Sequence, residues 1–293
     1  MSGWIAVDWG TTTLRATRMD GARAGETRES GDGMNGLSPE AFEPRLLDLA
    51  GDWIDGPTEI VVCGMAGARQ GWAEAPYRAV PCPPVAAPLT VARSADPRLS
   101  VRIVPGLSQR APHPDVMRGE ETQIAGILRE VPEFDGVACL PGTHAKWAHV
   151  SAGEVVSFRT AMTGEIFGLL SRSSVLRHSL GGNDWQEAAF LEAVSDALAR
   201  PEALSARLFE IRAADLLEEQ DPAIGRSRLS GLLIGAELAA TKPWWLGRDV
   251  IVTGAPALSQ AYAAALRSVG LAPRILSAAE MTLAGLKTAK DLP

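Results

Sequence analysis

The sequence predicts an α/β protein of two lobes, each built on a mixed β-sheet with flanking helices. Its 293 residues are enough for about two domains, at roughly 150 residues each. A pattern of strand, Gly-Thr turn, strand and strand occurs at the start of the chain and again from residue 136. Helical apolar stripes accompany both copies, as is typical of sheets covered by helices. We therefore expect two lobes of related architecture.

The first copy consists of a β-meander, a helix and a further strand. Ser38, Pro39 and Glu40 supply a hydroxyl cap, a proline and an acid, which is the usual order at a helix start. The predicted elements are strands at 4–8, 14–19 and 25–29, a helix from 38 to 54, and a strand at 59–63 that runs into a turn at 64–67. The proline-rich residues 71–114 are expected to be irregular, apart from a strand at 101–104.

The second copy lies within a longer, more helical region. The predicted elements are a helix at 116–131, strands at 136–140, 145–150 and 154–160, helices between 164 and 241, a strand at 250–253, a helix at 259–269, a strand at 274–276 and a helix at 279–290. We expect an N-terminal lobe at 1–112 and a C-terminal lobe at 113–293, with the last helix packing back toward the hinge between them.

Charge and hydropathy limit the classes of partner. The chain has 28 basic and 35 acidic residues, hence 28 − 35 = −7, which argues against nucleic acid because phosphates need a basic surface. No apolar run approaches the roughly 20 residues of a membrane span, and no basic segment precedes an apolar stretch at the N-terminus. We expect a cytoplasmic protein with small-molecule ligands and no membrane partner; a homodimer is one candidate assembly.

Two Gly-Thr turns are candidates for binding a polyphosphate. The first Gly-Thr turn, residues 10–13, follows a strand that ends in Asp8, and the second Gly-Thr turn, residues 141–144, has the same place in the second copy. Backbone N–H groups and hydroxyls can bind phosphate oxygens, and a strand-end carboxylate can hold hydrated Mg²⁺. The sequence has no P-loop motif here, and a strand follows each turn. Either turn alone also fits an ordinary hairpin.

Two further segments are candidates for proton transfer and for binding a flat ring. Glu120 and Glu121 open a helix, where one of them could accept the proton of a substrate hydroxyl, a role worth about 10²–10⁴ in rate. Acids at this position also simply complement the helix dipole, so both interpretations stay open. The strand 250–253 runs into Gly254 and Ala255, small residues that allow a flat ring to approach the backbone. This last signal is weak by itself.

Taken together, these segments resemble the sugar kinases of the actin/hexokinase/Hsp70 superfamily. The order of D-x-G-T-T hairpin, G-E-E-T-Q helix, G-T hairpin and T-G-A strand–helix unit matches that superfamily across essentially the whole chain. Longer stretches are similar to the 2-dehydro-3-deoxygalactonokinase family and are more specific. They are DWGTTTLRA at 8–16, CGMAG at 63–67, VMRGEETQ at 116–123 and LPGTHAKW at 140–147.

The resemblance implies two ribonuclease H-like lobes with an active-site cleft between them. It also implies ATP- and Mg²⁺-dependent phosphorylation of 2-keto-3-deoxy-D-galactonate at its 6-hydroxyl, a step of galactonate breakdown. The implied roles are Mg²⁺ organisation through water for Asp8, phosphate binding for Gly10, Thr11, Thr12, Gly142 and Thr143, adenosine binding for Gly254 and Ala255, and proton acceptance for Glu120 or Glu121. His144 adjoins the second Gly-Thr turn, so we expect it to donate a hydrogen bond to a phosphate, with a role as general base as the alternative.

The implied substrate is an anion, so an arginine that binds its carboxylate through a bidentate fork is expected. Arg69 follows the turn at 64–67, at the C-terminal end of a strand where α/β ligands gather. Arg118 and Arg159 are alternatives, and Trp72 is a candidate wall of the sugar site. Each of these side chains also fits a structural ion pair or a packing role.

Other functions stay open at this point. A different sugar or sugar-acid kinase of the same fold would share every motif, and a substrate panel would distinguish it. A regulatory ATPase of the superfamily would hydrolyse ATP to drive a lobe movement without phosphoryl transfer; the Gly-Glu-Glu helix start favours transfer. An α/β protein whose turns bind nothing would fail to bind ATP with Mg²⁺.

Overall fold

The computed structural model describes residues 3–182 and 184–293. The strands are β1 (Gly3–Trp9), β2 (Leu14–Asp20), β3 (Arg23–Ser30), β4 (Thr58–Gly64), β5 (Arg78–Ala79), β6 (Thr90–Ala92), β7 (Leu99–Ile103), β8 (Leu107–Gln109), β9 (Asp115–Met117), β10 (Gly136–Leu140), β11 (Ala145–Ser151), β12 (Glu154–Ala161), β13 (Val250–Gly254) and β14 (Arg274–Ser277). The helices are α1 (Phe42–Ala50), α2 (Glu120–Glu130), α3 (Thr163–Ser173), α4 (Glu187–Ala199), α5 (Leu204–Glu218), α6 (Pro222–Ala240), α7 (Lys242–Trp245), α8 (Pro256–Ser268) and α9 (Ala278–Lys290).

The first sheet has the strand order β3-β2-β1-β4-β7-β6. Its central strands β1 and β4 are largely buried, which explains their nearly continuous apolar sequences. β1 pairs antiparallel with β2, so that Arg15 lies opposite Asp8, and parallel with β4, so that Cys63 lies on the other side of Asp8. The carboxyl ends of β1 and β4 therefore meet at one edge of the sheet.

The second sheet repeats this plan, with the order β12-β11-β10-β13-β14. A meander of sequential strands is again followed by parallel strands, because β13 pairs parallel with both β10 and β14. The predicted duplication is thus visible in the strand order, and the predicted α/β class with mixed sheets and flanking helices is confirmed.

The chain divides into two compact units. The first contains the chain up to Asp135, Val150–Phe158 and Ala278–Pro293; the second contains Gly136–His149 and Arg159–Ser277. These units differ from the predicted lobes, 1–112 and 113–293, because α2 and α9 both belong to the first unit, where they pack on each other. The position of the lobe boundary stays a prediction.

Two glycines allow α2 and α9 to approach closely within the first unit. A Cβ at Gly126 would lie 1.9 Å from the carbonyl oxygen of Met281, and a Cβ at Gly285 would lie 1.8 Å from that of Thr122. No real Cβ contact is this short, so any larger residue at either position would push the helices apart. The helix that carries Glu120 is therefore held by the backbone of α9.

Some element limits differ from the sequence-based expectation. Residues 71–114 contain the short strands β5, β6 and β8 besides β7, because strands of two or three residues leave no periodic signal. The helix expected from 116 begins at Glu120, since Val116 and Met117 form β9 and pair with β8. α8 begins at Pro256 rather than at 259, as suits a proline in a first helical turn.

Each unit has its own apolar core. Trp9, Phe42 and Leu46 are fully buried on one side of the first sheet, and Trp147, Trp245 and Tyr262 are buried in the second unit. Within the described residues, none of the helices combines the length and apolar character needed to cross a membrane.

Candidate active site

Asp8 lies at the carboxyl end of β1, next to the first Gly-Thr turn. Its side chain is 32% exposed, and its Oδ2 atom lies 3.7 Å from Nη1 of Arg15. The Cys63 thiol donates a long hydrogen bond of 3.8 Å to Oδ1. Desolvation raises the pKa of Asp8 above its ordinary value, and Arg15 and the thiol lower it in part. Among the described residues, the carboxylate of Asp8 thus has only weak partners, and a bound cation would stabilise its charged form.

Residues 33–35, which the sequence did not single out, hold the first Gly-Thr turn. The amides of Met34 and Asn35 donate to carbonyl groups of the turn at 3.0 and 2.9 Å. A Cβ at Gly33 would lie 2.3 Å from backbone atoms of Thr12, so only glycine permits this contact. The first Gly-Thr turn is therefore fixed through its backbone, while two of its threonine side chains are exposed.

The two acids at the start of α2 have different environments. Glu121 is fully buried, and its oxygens accept hydrogen bonds from the amide of Gly119 at 2.7 Å and the hydroxyl of Thr122 at 3.0 Å. Burial, reinforced by the neighbouring Glu120, raises the pKa of Glu121 to about 8. Glu120 is partly exposed and accepts the amide of Arg118 at 3.0 Å. Glu120 is thus the acid that a ligand in solvent can reach.

The first-unit arginine candidates differ in accessibility. Arg69 is 81% exposed, and its ion pair with Glu74 is long at 3.6 Å. The guanidinium of Arg118 donates to the carbonyl of Ala75 at 2.7 Å and lies over the ring of Tyr77, with Cζ 4.4 Å from the centroid. Its Nε and Nη1 atoms are buried and have no hydrogen-bond partner among the described residues. A ligand therefore has access to Arg69, whereas Arg118 would first have to move.

Trp72 and Arg159 occupy unlike positions. Trp72 is partly buried, donates from Nε1 to the carbonyl of Arg93 at 3.2 Å, and meets the ring of Trp9 edge-on at 6.2 Å. It therefore packs against the core of the first unit. Arg159 is exposed on β12 and belongs to the second unit, whereas Arg69 and Arg118 belong to the first.

In the second unit, the first turn of α3 packs on the second Gly-Thr turn. The amide of Glu165 donates to the carbonyl of Thr143 at 2.9 Å. A Cβ at Gly164 would lie 2.2 Å from the carbonyl oxygen of Gly142. Nε2 of His144 lies 2.5 Å from a carboxylate oxygen of Glu165. The second Gly-Thr turn and the start of α3 are thus joined by several contacts, and His144 already has a carboxylate partner.

A cavity of ≈ 880 Å³ lies beside the second Gly-Thr turn. This volume is within the range of roughly 300–1,000 Å³ that is usual for cofactor and ligand pockets. Its walls include Gly142, Thr143, Thr163, Phe167, Arg226 and Ala255. A Cβ at Gly254 would lie 2.6 Å from the carbonyl of Pro141, so the start of α8 packs directly on the second Gly-Thr turn. Residues from both predicted loops of this unit therefore border one pocket.

Arg226 is a charged residue in this wall that the sequence did not single out. Its Cζ atom lies 5.2 Å from the ring centroid of Phe167, which also lines the cavity. Arg228 on the same helix pairs with Glu192 at 3.4 Å; for Arg226, the described part of the chain offers no such carboxylate. A cation without an anionic partner in a pocket wall suits an anionic ligand.

A metal ion would depend on few protein ligands. Among residues 3–182 and 184–293 there is no group of three or more His, Cys, Asp or Glu side chains that could hold one. Mg²⁺ commonly binds through one or two carboxylates, waters and the phosphates of a ligand. The partly exposed and weakly partnered carboxylate of Asp8 fits that arrangement.

Three residues of the candidate site were not singled out from the sequence, and they differ in whether the sequence could have revealed them. Arg15 could have been found, because a hairpin around residues 10–13 places it opposite Asp8. The contact of Gly33 with Thr12 joins segments about 20 residues apart, and the position of Arg226 depends on helix packing. Neither has a local sequence signature.

Comparisons with known proteins agree with one another. The model of a family described as 2-keto-3-deoxy-galactonokinase matches residues 8–289. A Rhizobium meliloti protein named "Probable 2-dehydro-3-deoxygalactonokinase DgoK1" is 39% identical, over 98% of this chain and 96% of its own. The 2-dehydro-3-deoxygalactonokinase of Escherichia coli K12 is 34% identical, over 91% of this chain and 90% of its own.

Solved structures extend the comparison to the fold. The crystal structure of a Sinorhizobium meliloti protein described as a 2-dehydro-3-deoxygalactonokinase is similar to this chain, with a TM-score of 0.90 and 37% identity. The match covers 98% of this chain and 95% of that one. A propionate kinase of Francisella tularensis has a TM-score of 0.51 at 10% identity over the full length of both chains. The second likeness concerns the fold alone, and it agrees with the predicted actin-like class.

Proposed function

The chain belongs to the 2-keto-3-deoxy-galactonokinase family and is a kinase, and from this premise we propose that it transfers the γ-phosphoryl group of ATP to the 6-hydroxyl of 2-dehydro-3-deoxy-D-galactonate. The product would be 2-dehydro-3-deoxy-6-phospho-D-galactonate, an intermediate of galactonate catabolism. The observation that carries the proposal is the family match over residues 8–289, which includes both Gly-Thr turns and both acids of α2.

The ≈ 880 Å³ cavity supports a nucleotide site in the second unit. Gly142 and Thr143 at one side offer backbone N–H groups and a hydroxyl to phosphate oxygens. Ala255 and α8 would contact the nucleoside, and Arg226 would supply a positive charge to the anionic ligand. His144 would act through its bond with Glu165 rather than as a base.

Asp8 is proposed to organise Mg²⁺ through water. Bound with ATP, the ion would neutralise charge on the phosphates. The raised pKa of Asp8 and its long contacts with Arg15 and Cys63 support this role, because the charged carboxylate has no strong partner in the part of the chain that the structure describes. Gly10, Thr11 and Thr12 would bind phosphate oxygens next to it.

Glu120 is proposed as the base, because it is the partly exposed acid of the pair. It would accept the proton of the 6-hydroxyl late in an in-line transfer, where positioning and charge stabilisation dominate. Glu121 is enclosed, and with a pKa of about 8 it is largely neutral at pH 7. Its bond to the amide of Gly119 instead fixes the residue that precedes Glu120.

Arg69 is proposed to bind the carboxylate of the sugar acid. It is the most accessible of the first-unit candidates, and its contact with Glu74 is long enough to be replaced by a bidentate pair. Trp72, already packed on Trp9, would contribute an immobile wall. Arg118 and Arg159 remain the alternatives.

A coupled ADP-release assay over a panel of keto-deoxy sugar acids tests the proposal. The galactonate-derived acid should give the highest kcat/KM, and phosphorus NMR of the product should place the phosphate on the 6-oxygen. A higher kcat/KM with another sugar acid would show that this other acid is the substrate. ADP release that does not depend on any sugar would indicate a regulatory ATPase. Location in the cytoplasm and assembly as a homodimer stay predictions; sedimentation of the purified protein tests the second.

A further inference from the structure

Glu237, on α6, is a buried acid without a role in the reaction described above. It is 5% exposed, and it accepts hydrogen bonds from Nε1 of Trp147 at 2.6 Å, from the hydroxyl of Tyr262 at 2.7 Å and from the hydroxyl of Thr163. Among the described residues, no basic side chain forms an ion pair with it. Burial raises the pKa of Glu237, and the three hydrogen bonds lower it in part. Burying such a group is unfavourable unless its oxygens are well bonded.

The three donors belong to three elements around the cavity. Thr163 is the first residue of α3 and lines the cavity, and Tyr262 lines it from α8. Trp147 belongs to β11, the strand that leaves the second Gly-Thr turn. One carboxyl group therefore joins elements that are far apart in sequence and meet around the same pocket.

The link through Thr163 reaches the second Gly-Thr turn directly. The next residue, Gly164, packs against the carbonyl of Gly142, and the amide of Glu165 bonds to the carbonyl of Thr143. A displacement of the start of α3 would therefore move the backbone groups that face the cavity. Glu237 itself is not part of the cavity wall.

We propose that Glu237 is a positioning residue for the nucleotide. It holds α3, β11 and α8 in the arrangement that the pocket needs, and it does not contact the ligand. The inference rests on the proposed function, because it presumes a nucleotide in the cavity.

The test measures the affinity for ADP with Mg²⁺ by calorimetry in two variants. Glu237→Met keeps the length of the side chain but removes both acceptors, and it should raise Kd about ten-fold or more. Glu237→Gln should stay within about three-fold of the wild type, because its carbonyl can accept from Trp147 while its amide donates to the oxygens of Thr163 and Tyr262. The KM for the sugar acid should change less than the Kd for ADP in both.

The controls separate positioning from stability. Ile211→Ala, in a different core cluster of the second unit that Phe167 of the cavity wall also contacts, should lower the melting temperature but raise the Kd for ADP less than Glu237→Met does. Wild-type Kd in Glu237→Met would overturn the inference. If that variant does not fold, Trp147→Phe removes one donor outside the cavity wall and should raise Kd about three-fold; an unchanged value would contradict the inference equally. Failure of the wild type to bind ADP would instead remove the proposed function.

Discussion

Glu120 and Glu121 are adjacent in the first turn of α2, yet only Glu120 has access to solvent. The carboxylate of Glu121 is turned inward, where the amide of Gly119 and the hydroxyl of Thr122 occupy its oxygens. Adjacent helical residues point about 100° apart, so one of two neighbours commonly faces the core. This difference in exposure is the basis for the different roles that we propose for two chemically identical side chains.

Substitution of each acid by its amide should separate those roles. Glu120→Gln should lower kcat by about 10²–10⁴ because the base is lost, with little change in the KM for ATP. Glu121→Gln should lower kcat by less than about ten-fold, since an amide can still bond within the buried site. Steady-state ADP release measures both. Glu130→Gln, at the exposed end of the same helix, is the control. A greater loss in Glu121→Gln than in Glu120→Gln would contradict the assignment.

The buried Glu121 should also make stability depend on pH. The ordinary pKa of a glutamate side chain is 4.5, whereas the pKa of Glu121 in the folded protein is about 8. Between these values the folded protein holds a proton that the unfolded chain has lost, so the free energy of unfolding falls as pH rises and levels off above about 8.

Glu121→Gln should therefore melt higher relative to the wild type at about pH 8 than at about pH 5. Asp8 and Glu237 also have raised pKa values, so the slope should be reduced rather than abolished. Thermal melts across this pH range test the prediction. Parallel profiles for the two proteins would show that Glu121 does not hold the proton.

The contact between Gly33 and Thr12 should be essential for the first Gly-Thr turn. Gly33→Ala adds a Cβ 2.3 Å from backbone atoms, and overpacking of this kind typically costs about 1–3 kcal/mol. We expect kcat/KM to fall by about ten-fold or more and the melting temperature to drop. Gly31→Ala is a matched control, because its Cβ would meet no atom within 4 Å. Equal behaviour of the two variants would show that the turn tolerates displacement.

Arg226 should contribute to nucleotide affinity. Hydrogen bonds to charged groups are worth about 1.5–3 kcal/mol, so Arg226→Ala should raise the KM for ATP by roughly 10- to 100-fold and leave the KM for the sugar acid unchanged. Arg228→Ala, on the same helix but paired with Glu192, should change neither constant. If both variants bind ATP equally well, the unpaired charge of Arg226 has no part in binding.

Arg69 should determine recognition of the acid group on the sugar. Arg69→Ala should raise the KM for the sugar acid by roughly 10- to 100-fold, without a change in the KM for ATP. Glu74→Gln removes the existing partner of Arg69 and should lower that KM slightly or leave it unchanged. A normal KM in Arg69→Ala would direct attention to Arg118 and Arg159.

Much of the fold follows from local patterns, because buried strands and their turns leave strong signals. Apolar runs bounded by turn residues predict the strands around Asp8, Cys63 and Cys139, and all three are present. The start of α2 lies later than the pattern predicts because Val116 and Met117 fit a helical stripe equally well, and their pairing with β8 is a tertiary effect.

The sequence predicts which types of residue the candidate site contains, but it does not predict how exposed each side chain is or which partners it has. Motifs pointed to Glu120 and Glu121, and the anionic substrate that the resemblance implies pointed to the arginines. The exposure of these side chains depends on packing that a single sequence does not encode locally. The enclosure of Arg118 over Tyr77 is an example. Glu237 had one faint signal, an isolated acid within the small and apolar residues 231–240 of α6.

The close packing of α2 on α9 has a consequence for biosynthesis. α2 ends at residue 130 and α9 begins at residue 278, so the whole of the second unit is synthesised between the two helices. Domains generally fold as they are synthesised, N-terminal parts first. We therefore expect the surface of α2 around Gly126 to stay uncovered in the nascent chain until α9 has been synthesised. Because α2 carries the proposed base, we expect that loss of α9 would leave a chain with every motif but without the packing that holds Glu120 in place.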